Sequence, residues 1–364
     1  MLIRLTARAV PALAAACALA LTATATAGAD PVTLPAATDV VGVGAGVTET
    51  LFTQFSTDYN AALAAAGDTT SPRLHSWDTG GTAQITPKAG ASPIARPDRT
   101  GAALAALNTT TSGTVDFVRT SRVPNTTDLP GNLFVAMAWD AVSWAAPAGG
   151  NAPQNLTTSD LSNIYNCRVT KWKQINPALP DATIVPVLAG HLSVDRSGVT
   201  GTPMESSDFF LKAIKYPPAG TDGPSDRSCV RVVARGDQGW DPILHDPNAI
   251  VPYSVGRFVG QVYGGHSGPG DDPVVLTVRD IDGIAAVDPV ARQMALGFSS
   301  SSYGRWLFNV VREADWTRLP ATNTLRNVFG TYGWICRSPV AAAAIKSYGF
   351  RVLPVGACGS TRHA

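Results

Sequence analysis

The chain has 364 residues, 15% of them charged, with 28 Lys+Arg against 27 Asp+Glu for a net charge of +1. Its length exceeds the ~250–300 residues at which single hydrophobic cores stop growing, so two cores are expected. The balance of charge argues against a nucleic-acid or anionic-membrane partner, which needs a basic excess, and makes any charge recognition local.

In chain order, Arg4 and Arg8 precede an apolar run from Ala9 to Leu21, and Ala27-Gly28-Ala29 offers a small-residue cleavage site. That pattern reads as an export signal over 1–29, too short to span a bilayer. Cys17 is not expected to carry a lipid, because Ala14 stands where a bulky apolar residue is usual. No second run of membrane-spanning length follows, so a soluble, secreted or cell-surface chain is expected. Four cysteines remain after the leader: Cys167, Cys229, Cys336 and Cys358. An even count in an exported chain favours two disulfides, and of three possible pairings the sequence-adjacent one, Cys167–Cys229 with Cys336–Cys358, is preferred. Neither a CxxC spacing nor an i,i+4 histidine pair is present, so no metal is expected.

Val41–Gly44 reads as a short buried strand, and Leu51, Phe52, Phe55, Tyr59 and Leu63 then recur at helical spacing. Ala102–Leu107 suggests a second helix and Val115–Val118 a second strand, an alternation that predicts an α/β architecture. Leu133–Ala138 and Ala141–Ala145 are apolar, extended runs. Thr157 with Asp160 resembles a capping box ahead of Leu161, Ile164 and Tyr165. Ile184–Leu188 is a strand candidate, Gly190–Pro203 a loop, and Phe209, Phe210, Ala213 and Ile214 a helical face. Pro217–Ser228 and Gly264–Pro273 read as loops, and the tail as a turn, a helix through Ala341–Ile345 and a closing strand.

The stretch "VGVGAGVTET" raises the question of chemistry. It does not match GxGxxG, and it lacks the Gly-Lys-Ser/Thr end of a P-loop. Still, a helix N-terminus presents unpaired N–H groups and a partial positive charge, glycines let an oxyanion approach, and Thr48 adds a hydroxyl. The plainer alternative is that Thr48 or Thr50 only caps the helix. Two further turns put small donors beside a helix start: Asp78-Thr79-Gly80-Gly81, and Ser206-Ser207-Asp208. Each also reads as a cap or turn. Arg119, Thr120, Ser121 and Arg122 follow a strand, where an arginine could clamp an anion or sit solvated. "GGHSGPG" fails as a nucleophile elbow because Pro269 takes the last glycine, and no carboxylate pair stands out; no catalytic residue is assigned.

Taken in order, "GAGVTETLFTQFSTDYN", "DTGGTAQI", "VDFVRTSR", "LTTSDLSNIYNCRVTKWKQIN", "SSDFFLKAI" and "TYGWICRSPVAAAAIKSYGF" resemble the phosphate-binding proteins of bacterial ABC importers, and especially their high-G+C Gram-positive branch. The resemblance covers about Val41 to Leu353 and implies a two-lobe periplasmic binding protein-like fold, crossed twice near Leu133–Trp144 and Ile250–Val255. Lobe one would be 30–132 plus 256–364, and lobe two 133–255. It further implies that a monomer captures a small oxyanion, phosphate first, in the cleft for a permease, with no cofactor. The ligand set would be Thr48, Glu49, Asp78, Thr79, Arg119, Ser121, Arg122, Ser206 and Ser207.

Several positions depart from the family pattern. Glu205 falls on a glycine, Ser121 on an aspartate, Asp78 on a serine, Glu49 on an aromatic residue, and Ser207 on the family's arginine. An acid has moved between loops, and a carboxylate at 205 would repel a bound dianion unless protonated or turned away. Two other readings stay open: a binding fold with another ligand or an adhesion or sensory role, and a secreted phosphate-ester hydrolase.

Overall fold

The computed structural model describes residues 30–109, 114–195, 198–216, 227–236, 238–268, 271–318 and 324–363. The leader at 1–29 with Cys17 lies outside them, as do 217–226 of the Pro217–Ser228 loop and 269–270 of the loop carrying "GGHSGPG".

Strand and helix alternate at the start, as the apolar spacing predicts. Strand Val40–Gly44 leads through the 3-10 turn Gly46–Thr48 into helix Glu49–Ala65, and strand Leu74–Ser76 follows. Helix Thr100–Asn108 then precedes strand Phe117–Thr120. Val40–Gly44 lies parallel between Leu74–Ser76 and Phe117–Thr120. The first helix buries Leu51, Phe52, Phe55 and Tyr59, the residues that shared one helical face in the sequence.

The two apolar runs at Leu133–Ala138 and Ala141–Ala145 form one strand of 16 residues, Asn132–Pro147. Its first part pairs antiparallel with Gly304–Arg312, and its last part with Ala249–Ser254 and Leu276–Val278. Alternate side chains go to opposite faces. Leu133, Val135 and Met137 join Phe52, Phe117 and Phe329 on one face of the first lobe. Phe134 and Ala136 join Leu104, Val118 and Phe308 on the other. Both faces of the sheet are covered, which is why the run reads as continuously apolar.

The second lobe is built on Val185–Asp195, Arg231–Val233 and Ala249–Ser254, with helices Thr158–Tyr165 and Glu205–Ala213 packed beside them. Trp144, Tyr165, Trp172, Phe210 and Tyr253 are buried in its core. The same core takes Leu276, Val278, Ile281, Met294, Phe298 and Tyr303. The chain therefore stays with the second lobe well past 256, where the sequence reading had returned it to the first. The difference has a simple cause: Leu276–Val278 adds to the far end of the long strand, a pairing that no local pattern announces. Among the described residues, strands of both lobes hydrogen-bond into one 12-stranded sheet.

The Thr157–Asp160 capping box forms as expected, with Thr157 N–H donating to Asp160 at 3.0 Å and Asp160 N–H to Thr157 at 3.1 Å. Gly190–Pro203, read as a loop, is instead the greater part of a hairpin in which Val185–Asp195 pairs antiparallel with Gly198–Pro203. Val194, Val199, Thr200 and Thr202 are β-branched and favour strands, so the glycines misled. The cysteines pair as Cys167–Cys229 and Cys336–Cys358, with Cα atoms 5.9 and 5.6 Å apart. Among the described residues no helix is long and apolar enough to cross a membrane.

Candidate functional site

The glycine-rich turn opens on the boundary between the lobes, but a guanidinium rather than an anion occupies its approach. A Cβ on Gly46 would lie 2.7 Å from Nη2 of Arg235, a residue of the second lobe. Arg235 donates to Glu49 Oε1 at 3.0 Å and to Thr79 Oγ1 at 3.0 Å. Thr79 Oγ1 in turn donates to Glu49 Oε2 at 2.8 Å. Arg257 closes the group from below, donating to the Gly46 carbonyl at 2.9 Å and pairing with Asp271 at 3.2 Å. Burial pushes the Glu49 carboxyl upward, but Arg235, Arg257, the Thr79 hydroxyl and Arg119 outweigh it and hold the pKa at about 2. Thr48 is 2% exposed and precedes the helix without a side-chain capping bond, so the plain capping role is not what it performs.

Arg119 is enclosed within the first lobe. It is fully buried and donates to the Ser76 hydroxyl and to the carbonyls of Trp77 at 3.0 Å and Gly44 at 3.3 Å, tying together the ends of two strands. Burial lowers its pKa, against the opposing pull of Asp78 and Glu49. As an anion clamp it is replaced by a structural tie; its side chain points inward because residues alternate along Phe117–Thr120. Asp78 sits in the turn beside it. That turn is fixed by Arg96, which donates to the Asp78 carbonyl at 2.9 Å and pairs with Asp30 at 2.7 Å.

Arg122 does reach the cleft, bordering cavities on both sides of it, yet its guanidinium is paired bidentately with Asp128 at 2.5 and 2.7 Å. Burial lowers its pKa, but the Asp128 partner and the charges of Glu205 and Asp208 raise it further. Ser206 faces the lobe junction and accepts from Arg305 at 3.0 Å. Ser207, one residue on and so about 100° round the helix, is 1% exposed and accepts from the Ala189 amide at 3.0 Å. It belongs to the interior of the second lobe, which corrects its place in the expected ligand set.

Glu205, the first residue of helix Glu205–Ala213, is not turned away. Its carboxylate crosses to the first lobe and takes every donor of a small cradle there. Thr120 Oγ1 donates to Oε1 at 2.6 Å, the Ser121 amide to Oε2 at 2.5 Å, and the hydroxyls of Ser121 and Thr100 add one bond each. A cavity of about 380 Å³ flanks it on each side. One includes Ala45, Gly46, Val47 and Ser206; the other includes Trp139, Phe209, Arg305 and Trp306.

Sequence reasoning missed Arg235, Arg305, Thr100 and Asp140. Asp140 and Arg305 are register partners on the long strand and its neighbour. The Asp140 carboxylate accepts from Arg305 Nη2 at 2.8 Å, from Ser254 Oγ at 2.9 Å and from the Gly256 amide at 3.1 Å, at the place where the chain passes between lobes. A carboxylate inside an otherwise apolar run was the one available signal. Among the described residues no group of three or more His, Cys, Asp or Glu gathers to hold a metal. His266 stacks on Tyr348 and bonds Ser347 at 2.6 Å.

Residues 53–223 match a family model described as the PBP superfamily domain. No curated protein matches the chain. Among solved structures, a Clostridium perfringens substrate-binding protein of ABC-transporter type with phosphate bound superposes with TM-score 0.57 at 13% identity, covering 87% of this chain and 100% of that one. An ABC-type phosphate transport receptor from Vibrio cholerae gives 0.53 at 13% identity, over 86% and 100% of the two chains. A high-affinity periplasmic phosphate-binding protein, PfluDING, gives 0.52 at 14%, over 88% and 91%. Segment 53–223 thus matches the PBP superfamily domain, and over 86–87% of its length the chain has the two-lobe fold seen in those ABC-type phosphate receptors.

Proposed function

We propose that this chain is an extracytoplasmic solute-binding protein that captures a small oxyanion, phosphate first, between its lobes and hands it to an ABC permease. The observation that supports this most is the cradle of Thr100, Thr120 and Ser121. Its hydroxyls and one amide converge on the two oxygens of a carboxylate, the geometry that any oxyanion requires. Neutral donors in a partly desolvated cleft bind charge without a counter-ion, because each dipole is fixed in place by the fold. The names of the neighbours point the same way, all three being phosphate receptors or binding proteins. Within this reading Thr48, Ser121 and Ser206 contribute donors, Thr79 and Glu49 hold the loop, and Arg122 supplies nearby positive charge. The leader pattern at 1–29 supports export.

A second reading, a binding fold with a different solute or an adhesion or sensory role, is favoured by one feature. The cations around the cleft are committed internally: Arg235 to Glu49, Arg305 to Asp140 and Arg122 to Asp128. Calorimetry with phosphate, arsenate, sulfate and citrate separates the two. Saturable phosphate binding that weakens at least tenfold in Ser121→Ala supports the transporter reading; silence across the panel, in the wild type and in a Glu205→Ala variant, sinks it.

A further inference from the structure

We infer that Glu205 is a tethered occupant of the oxyanion cradle, a carboxylate supplied by the second lobe that holds the lobes together without solute and that a free anion must displace. The inference rests on the cradle being the solute site. Three observations carry it.

First, the bonds run between lobes: Glu205 begins a second-lobe helix, whereas Thr100, Thr120 and Ser121 belong to the first lobe. They are therefore made only when the cleft is shut. Second, the partners are those of a ligand and not of an ion pair. Among the described residues no lysine, arginine or histidine forms a salt bridge with Glu205. The Arg122 guanidinium, close enough to feel its charge, gives its hydrogen bonds to Asp128 and to the Val123 carbonyl. A carboxylate bound only by hydroxyls and an amide is the chemical equivalent of a captured oxyanion. Third, space for exchange exists. Glu205, Asp208, Arg122, Asn125 and Lys212 border both flanking cavities, so Glu205 stands in the partition between two chambers of about 380 Å³ each. An arriving anion enters one chamber, and the side chain swings into the other.

The energetic consequence is competition. A tethered rival lowers the apparent affinity for the free anion by the fraction of molecules whose cradle is open. Removing the rival therefore raises affinity while lowering the closed population of the empty protein, two effects of opposite appearance from one substitution.

The test compares the full chain with Glu205→Ala, and with Thr120→Val in parallel because Val keeps the β-branched shape while losing the donor. Small-angle scattering without solute reads closure, and calorimetry with inorganic phosphate reads binding. The expected result is a larger radius of gyration for Glu205→Ala without solute, a smaller increase for Thr120→Val, and phosphate affinity at least tenfold tighter in Glu205→Ala. Unchanged dimensions in both variants overturn the latch. If the variants open but neither they nor the wild type bind phosphate, arsenate or sulfate, the latch stands and the solute reading falls. If phosphate binds wild type and Glu205→Ala equally with no change in shape, the solute reading stands and the latch falls.

Discussion

Arg235 and Glu49 meet at 3.0 Å across the cleft, one from each lobe, inside the space that the first glycine turn leaves open. Glu49 is 6% exposed, so its charge depends on its partners. Replacing it by Gln leaves Arg235 and Arg257 without it in a desolvated setting, where breaking a buried pair costs about 3 kcal/mol. Glu49→Gln is expected to lower the urea midpoint accordingly, and an unchanged midpoint would show the pair to be dispensable.

The same pair sets a pH dependence. The folded-state pKa of Glu49, about 2, lies below its ordinary value of 4.5. The unfolded chain therefore binds the extra proton first as pH falls, and the stability gained from ionised Glu49 is complete above 4.5 and lost on going down toward 2. Urea melts at pH 6, 4 and 3 should show the gap between wild type and Glu49→Gln narrowing in that window. A gap constant across it would mean that the carboxylate is not held ionised by its neighbours.

Asp140 and Arg305 form the corresponding pair at the crossing between lobes. Both side chains are at most 3% exposed. Asp140→Asn keeps the shape but removes the charge facing Arg305, and is expected to cost about 3–5 kcal/mol in chemical denaturation. A loss under about 1 kcal/mol would place the charge outside the set of groups that matter there.

Two glycines of the opening turn predict opposite tolerances. Gly44 has φ +130°, and a Cβ there would lie 2.3 Å from the Arg119 carbonyl oxygen, a backbone atom that cannot move aside. Gly44→Ala is expected to cost at least about 2 kcal/mol. At Gly46 the obstacle is the end of the Arg235 side chain, which can shift, so Gly46→Ala should cost about 1 kcal/mol or less. Equal losses in thermal melts would contradict this account of the turn.

The disulfides close loops of unequal length, Cys167–Cys229 spanning 62 residues and Cys336–Cys358 spanning 22. In the chain-entropy picture the longer loop stabilises more, by about 1 kcal/mol. Paired Cys→Ser variants compared by denaturation should show the larger loss for Cys167/Cys229, and the reverse order would mean that local packing dominates.

What could be read from the sequence was whatever is periodic or local. Leu51, Phe52, Phe55 and Tyr59 declare their helix by spacing, and Thr157 with Asp160 declares its start, because the partners lie within a turn of each other. The ligand set was harder for a geometric reason. Ser206 and Ser207 are adjacent in sequence yet point to a cleft and a core, and only the phase of the helix decides which is which. Arg235 meets Glu49 across 186 positions, and Arg305 meets Asp140 across 165. No window of sequence contains such a pair. Glu205 was visible as an oddity, a carboxylate where a glycine was expected, but its acceptance by Thr100, Thr120 and Ser121 depends on how the halves close.

Both halves hang on one uninterrupted ribbon, Asn132–Pro147. Its neighbours change over between Ala141, which faces Gly304, and Val142, which faces Ser254. Such a molecule cannot gape by slackening a loose tether. It has to wring a hydrogen-bonded beam where Asp140 bolts the adjoining segments to it, so any opening of the halves loads that beam like a spring.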